Sequence, residues 1–346
     1  MPDMTNTPDR ARTRFPGISS RAYEHPADRS ALVALRSLTG FDVVLRRLSG
    51  LFNERAIRLT FLASSVRASE NQFHNLYDMV RDAAYILDMP EVPEVYVEQN
   101  PAANAYAIGA DHPFIVVTTG LLDLHDDEEL RFVIGHEVGH ILSGHSVYQT
   151  MMMILTRLGS RLAWLPLGNI GIAAILMGLR EWHRKSELSC DRAGLLTGQD
   201  PAAVKRALMK MAGGTRLADM NTDAFLQQAR EYDEAGDVRD GMLKFLNLLG
   251  QSHPFAVVRL AEIDRWASDG EYARILAGEY PRRADDANAK VTDEVKNAAR
   301  SYKDSWERSA DPFIGKVKDV ADAAAGAAGG LFDKLSRRGG DTASQN

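Results

Sequence analysis

His136-Glu137-Val138-Gly139-His140-Ile141-Leu142-Ser143-Gly144-His145 is the stretch from which the rest of this chain is read. It contains His-Glu-x-x-His. Residues four apart share one face of an α-helix, so His136 and His140 can hold one metal ion. Glu137 follows the first histidine, where its carboxylate can reach a water at that metal. Two neutral imidazoles hold zinc and leave positions open, and a neighbouring carboxylate serves as base. The motif alone is short enough to arise by chance, as an ordinary helical turn with satisfied histidines. Its surroundings favour the metal. Phe114-Ile115-Val116-Val117-Thr118-Thr119 predicts a β-strand. Asp126 then predicts an N-cap, with Glu129 as its capping-box partner. Leu130, Val133, Ile134, Val138, Ile141 and Leu142 follow as an apolar helical stripe.

A catalytic zinc usually has three protein ligands. One pattern places a third histidine after a glycine turn, but here Ser143 stands at the glycine position and Ser146 at the histidine position. On a continuous helix His145 points about 180° away from His136. It is therefore expected to pack behind a ligand or in the core. The other pattern uses a glutamate on a later helix, and Arg184-Lys185-Ser186-Glu187-Leu188-Ser189-Cys190-Asp191 supplies one. Glu187 is the expected third ligand. Asp191, on the same face, is expected to accept a hydrogen bond from the far nitrogen of a ligand histidine, His136 first. The bland alternative is a solvated charged face. His183, one turn before Glu187, and Cys190, about 60° off its face, rank below Glu187 as ligands.

Taken with Asn104-Ala105 on a short strand and a later His253-Pro254 with Arg259, these motifs resemble the HtpX and CAAX prenyl protease family of gluzincin zinc metallopeptidases over about residues 90 to 265. The resemblance implies an α+β, predominantly helical fold with a small β-sheet beside the zinc-binding helix. It implies an endopeptidase with one Zn2+ per chain, held by His136, His140 and Glu187, with Glu137 as general base. The strand at Asn104 and Ala105 would be the edge to which an extended peptide or unfolded protein adds as a further strand. His253 is the candidate donor for the oxyanion of the tetrahedral intermediate. The alternative is a helix-start histidine before a proline at N1, and Tyr232 is a weaker rival donor.

The composition is consistent with this. A length of 346 residues can bury a full core, and a net charge of −6 argues against nucleic acid as the main partner. A single cysteine excludes an intramolecular disulfide and fits a reducing compartment. The first residues lack the apolar core of a signal peptide, so a cytoplasmic location is expected, with membrane association as the alternative.

Four regions are expected. Residues 1–26 form a flexible N-terminus, and 27–89 a helical region packed on the core. Residues 90–280 form the metallopeptidase domain, and 281–346 a charged helical and low-complexity tail with Trp306 as a docking point. Ser69-Glu70-Asn71-Gln72 predicts a capping box for the stripe Phe73, Leu76, Tyr77, Val80, Ala84 and Leu87. Leu45, Leu48, Leu51 and Phe52 form another stripe. Glu94–Glu98, Ala105–Ile108 and Phe114–Thr119 predict strands.

Leu162 to Leu179 carries no charge, and its length alone would allow a membrane span. A single crossing would put His140 and Glu187 on opposite sides of a bilayer, so a packed apolar hairpin is preferred. A lid or a peripheral membrane contact through 162–179 is its functional reading. The membrane members of the family carry hydrophobic spans before the zinc helix, and none is seen here. The leading function is zinc-dependent endopeptidase, in a setting of protein quality control. The alternatives are a non-catalytic holdase or adaptor on a protease fold, and a zinc hydrolase of small amides.

Overall fold

A computed structural model describes residues 11–36, 41, 45, 53–158, 168–234 and 255–288. Among these the fold is α+β and mostly helical, with one four-stranded sheet. The helices are α1 (Pro26–Arg36), α2 (Glu54–Ser64), α3 (His74–Ile86), α4 (Thr119–Leu124), α5 (Asp127–Leu142), α6 (His145–Leu158), α7 (Gly168–Gly198), α8 (Pro201–Gly213), α9 (Thr222–Glu234), α10 (Ala256–Ser268) and α11 (Glu271–Leu276). The strands are β1 (Val66–Arg67), β2 (Val95–Glu98), β3 (Ala105–Ile108) and β4 (Phe114–Thr118), in the order β1-β2-β4-β3. β2 and β4 are parallel, while β1 and β3 join antiparallel. Every residue of β4 is buried, as a strand covered on both faces requires. β3 lies at the sheet edge.

The predicted capping box at Asp126 is present. Its side chain accepts from Glu129 N, and the Glu129 carboxylate accepts from Asp126 N. The stripe expected on α5 is broader than its apolar residues suggest. From Glu129 to His140 every residue but Arg131 is buried, so α5 is a central helix covered all round. α7 crosses it closely. A β-carbon on Gly135 would meet Thr197 Cβ at 2.4 Å, and one on Gly139 would meet Ala193 Cβ at 2.6 Å. These two glycines, one turn apart, bring the two helix backbones together.

Two expectations are corrected, and a third is located. Ser69–Gln72 is not a capping box. It closes a tight turn bridged between Ser69 and Gln72, and α3 starts only after Phe73, which has φ 50° and no capping side chain. Residues 11–26, within the segment expected to be flexible, are held. Phe15, Ile18 and Tyr23 are buried in the main core, Phe15 N donates to Ile86 O, and Ile18 bridges Arg282. The apolar side chains of this segment outweigh its polar composition. The described part of the apolar run, from 168, is the first half of α7 and continuous with the helix of Glu187. There Ile175 and Leu179 pack with Ala31 and Leu35 of α1 and Tyr148, Met151 and Leu155 of α6. No helix among the described residues is long and apolar enough to cross a membrane. Leu48, Leu51, Phe52, Trp306 and the tail beyond 288 lie outside the described residues.

Candidate active site

α5 and α7 supply the cluster at the centre of the fold. His136 and His140 project from one face of α5, and their Nε2 atoms lie 3.1 Å apart. Glu187 of α7 reaches both, with Oε1 3.0 Å from His140 Nε2 and Oε2 3.4 Å from His136 Nε2. All three side chains are buried. Around a tetrahedral zinc with Zn–N bonds of about 2.0–2.1 Å, neighbouring donors lie about 3.3 Å apart. The spacings here match that edge length, and the donor types suit zinc, so the residues fit the metal.

His136 is held from behind. Its Nδ1 lies 3.0 Å from Asp191 Oδ1. Arg259 of α10 grips Asp191 through Nε to Oδ2 at 2.8 Å and Nη2 to Oδ1 at 2.5 Å. Its Nη1 is 3.5 Å from Glu187 Oε2. One buried guanidinium thus faces two buried carboxylates. Burial alone would raise the Asp191 carboxyl, but Arg259 and His136 outweigh it and hold it below its ordinary value. The two histidines are driven apart. Burial would lower His136, yet Glu187 and Asp191 together raise it. For His140 burial wins, and its imidazole is held well below its ordinary value.

Glu137 is buried beside them, and its Oε2 has no hydrogen-bond partner. Burial, with Glu187 adding to it, lifts its carboxyl to about 7, against opposing pulls from His136 and Arg259. The charge of a bound dication opposes this shift. The Ala107 backbone adds a smaller downward pull on the Glu137 carboxyl. On β3, Asn104 O accepts from Thr118 N. Antiparallel pairing alternates, so the N–H and C=O groups of Ala105 and Ala107 point away from β4, to the outer side of this edge strand, where both residues are buried.

The structure therefore brings together His136, Glu137, His140, Glu187 and Asp191, with the strand of Asn104 and Ala105 alongside. His253 lies outside the described residues. Tyr232 packs on Phe255 with ring centroids 5.6 Å apart. His183 Nε2 is 3.6 Å from Glu187 Oε1 but belongs to no three-donor group. Cys190 groups instead with His140 and His145, and burial raises its thiol far above the usual range. His145 does not follow the continuous-helix geometry. α5 stops at Leu142, Gly144 takes φ 70°, and His145 opens α6 pointing back at His140, with the two Nδ1 atoms 3.2 Å apart. The glycine at 144 was the available signal for that break. Sequence reasoning gave Arg259 no role and missed Asp28, whose partners His145, Trp182 and Ser189 lie far along the chain with no spacing to announce them.

The profile of Peptidase family M48 matches residues 70–267. The chain belongs to this family, and it is a metallopeptidase by that membership. It is 39% identical over 267 residues to the plastoglobule-localized metallopeptidase 48, chloroplastic, of Arabidopsis thaliana, covering 76% of this chain and 77% of that protein. It is 31% identical over 184 residues to a protease HtpX homolog of Caldanaerobacter subterraneus subsp. tengcongensis, covering 44% and 61%. A protease HtpX homolog of Pseudarthrobacter chlorophenolicus is 28% identical over 238 residues, covering 63% and 81%. No solved structure matches the chain at a significant level.

Proposed function

We propose that the protein is a zinc-dependent endopeptidase acting on extended segments of polypeptide substrates, with protein quality control as its setting. The observation that supports this is the buried Glu137 carboxyl, next to His136 on the helix that packs against the edge strand β3. His136, His140 and Glu187 would hold the zinc. Zinc, when bound, supplies Lewis acidity toward a substrate carbonyl and toward water. Asp191, itself fixed by Arg259, keeps the proton of His136 on Nδ1 and leaves Nε2 free to ligate. Glu137 takes a proton at its carboxylate and returns it to the leaving amine. The outward N–H and C=O groups of Ala105 and Ala107 would pair with substrate backbone, which tolerates many side chains.

The two rival functions make different demands. A holdase needs no base, yet Glu137 sits buried at the donor cluster. A hydrolase of small amides calls for a closed pocket rather than a strand edge. The plant relative is named for plastoglobules. For this chain we infer a cytoplasmic location, with membrane association as the alternative, which flotation with lipid vesicles tests.

The deciding experiment compares wild type, Glu137→Gln and His140→Ala on an unfolded protein. Wild type should bind near-stoichiometric zinc and cleave. Glu137→Gln should keep zinc and lose at least about 100-fold in turnover. His140→Ala should lose zinc. Equal protection of the substrate from aggregation by wild type and Glu137→Gln, with no cleavage by either, would establish the holdase instead.

A further inference from the structure

His136 has a carboxylate directly behind it, and His140 does not. His140 Nδ1 faces His145 Nδ1 at 3.2 Å and the Gln149 amide at 3.2 Å. On its far side, His145 Nε2 lies 3.3 Å from Asp28 Oδ2. Asp28 is 1% exposed and comes from α1, before the residues matched by the family. It also accepts from Trp182 Nε1 at 3.0 Å and from Ser189 Oγ at 2.7 Å. Both donors sit on α7, the helix that carries Glu187.

We propose that Asp28 and His145 are positioning residues for His140, so that the N-terminal helix α1 forms part of the metal centre. This rests on the zinc reading above. The direction of each hydrogen bond follows from donor chemistry. An ionised carboxylate only accepts, so the proton between Asp28 and His145 belongs to His145 Nε2. His145 Nδ1 is then an acceptor. Of two facing Nδ1 atoms one must carry the shared proton, and that one is His140. His140 Nε2 is left with its lone pair toward His136 and Glu187, as a metal ligand needs. The opposite arrangement would put a proton into the donor cluster. Gln149 agrees with this assignment. Its Oε1 is buried without a partner, and turning the amide over, which changes no heavy-atom position, would let that oxygen accept from His140 Nδ1 as well. The Cys190 thiol, 3.5 Å from His145 Nδ1, is a longer and weaker competing donor. Asp28 thus braces both sides of the site, the His140 tautomer through His145 and the Glu187 helix through Trp182 and Ser189.

The test measures zinc affinity of the full chain by competition with a chromophoric chelator, with circular dichroism and a urea midpoint as folding controls. His145→Phe removes the acceptor and should weaken zinc binding about 10- to 100-fold. His145→Gln offers an amide oxygen that needs no help from Asp28, and should restore most of the affinity. Asp28→Asn can donate to His145 Nε2 and reverse its tautomer. It should weaken zinc binding in the wild-type background and clearly less in the His145→Phe background, where only its contacts with Trp182 and Ser189 are left to disturb. A purely structural role for Asp28 would give equal losses in both, and that result overturns the proposal. So does unchanged affinity in folded His145→Phe. A second measurement needs no variant. In zinc-loaded protein labelled with 15N-histidine, NMR should find His140 protonated at Nδ1 and His145 at Nε2 alone, and a proton on His145 Nδ1 refutes the relay. Wild type that binds no zinc would refute the metal centre itself, a result distinct from any of these.

Discussion

Arg259 and Asp191 form a buried two-point ion pair, with Nη2 to Oδ1 at 2.5 Å and Nε to Oδ2 at 2.8 Å, one contact removed from His136. Removing one partner of such a pair leaves the other charge uncompensated and costs about 3–5 kcal/mol. Arg259→Leu should lower the urea midpoint of the metal-free protein accordingly. Zinc should recover part of that loss by pairing Glu187. Arg259→Lys, which keeps the charge but not the fork, should fall between wild type and Arg259→Leu. A metal-free midpoint unchanged in Arg259→Leu would show that the guanidinium is not needed to hold the carboxylates.

The approach of α5 to α7 sets the distance between the histidines and Glu187. Replacing Gly139 with alanine gains about 1 kcal/mol in helix propensity. It also places a methyl 2.6 Å from Ala193 Cβ, and overpacking of this kind costs about 1–3 kcal/mol. Gly139→Ala should therefore separate the helices and weaken zinc binding. Ala193→Gly in the same chain should restore it. If the double variant binds zinc no better than Gly139→Ala, the contact between these two positions does not govern the site.

Strands β2, β3 and β4, the Asp126 capping box and the Glu187–Asp191 pair were legible because each is written in a short, regular spacing, whereas the two-residue β1 was not. The Glu187 helix could be found since Glu187 and Asp191 lie four residues apart. The full burial of α5 was not legible. His136, Glu137 and His140 are polar by type and interrupt its apolar pattern, yet all three are buried, with His136 and His140 held by partners from other helices. Asp28 was equally hidden, because its contacts with His145 and Ser189 exist only once α1 has docked on α6 and α7. The Ser69 capping box failed for a local reason. Gln72 Nε2 donates back to Arg67 O and Ser69 pairs with Gln72, so the turn takes the groups that the cap would have used.

Glu129 joins the start of α5 to α8. It is fully buried, and its carboxylate accepts from Lys210 Nζ at 2.7 Å, Arg206 Nε at 3.2 Å and Asp126 N at 3.1 Å, with His125 Nδ1 at 3.2 Å. Burial would raise its carboxyl, but His125, Lys210 and Asp126 N outweigh it and hold it at about 2. A folded-state value below the unfolded one means that the stabilisation is complete above about pH 4.5 and is lost as pH falls toward 2. Its size is on the order of 3 kcal/mol. The stability gap between wild type and Glu129→Gln should therefore be wide at pH 7 and narrow steadily below pH 4.5. A gap that stays constant between pH 7 and pH 3 would refute the linkage.

Substrate addition to β3 can be tested on the substrate itself. If the outward backbone groups of Ala105 and Ala107 pair with an extended peptide, only every second substrate amide faces them. N-methylation removes one donor and adds bulk at a chosen amide without touching the enzyme. In a series of peptides methylated one position at a time, turnover should fall at alternate positions on one side of the cleaved bond and stay near the unmodified rate at those between. A lost backbone hydrogen bond is worth about 0.5–1.5 kcal/mol, and the methyl group also crowds the strand edge, so a fall of about tenfold is expected at the sensitive positions. Zinc content stays constant throughout, which separates this effect from damage to the metal centre. A uniform response along the peptide would rule out strand pairing at β3.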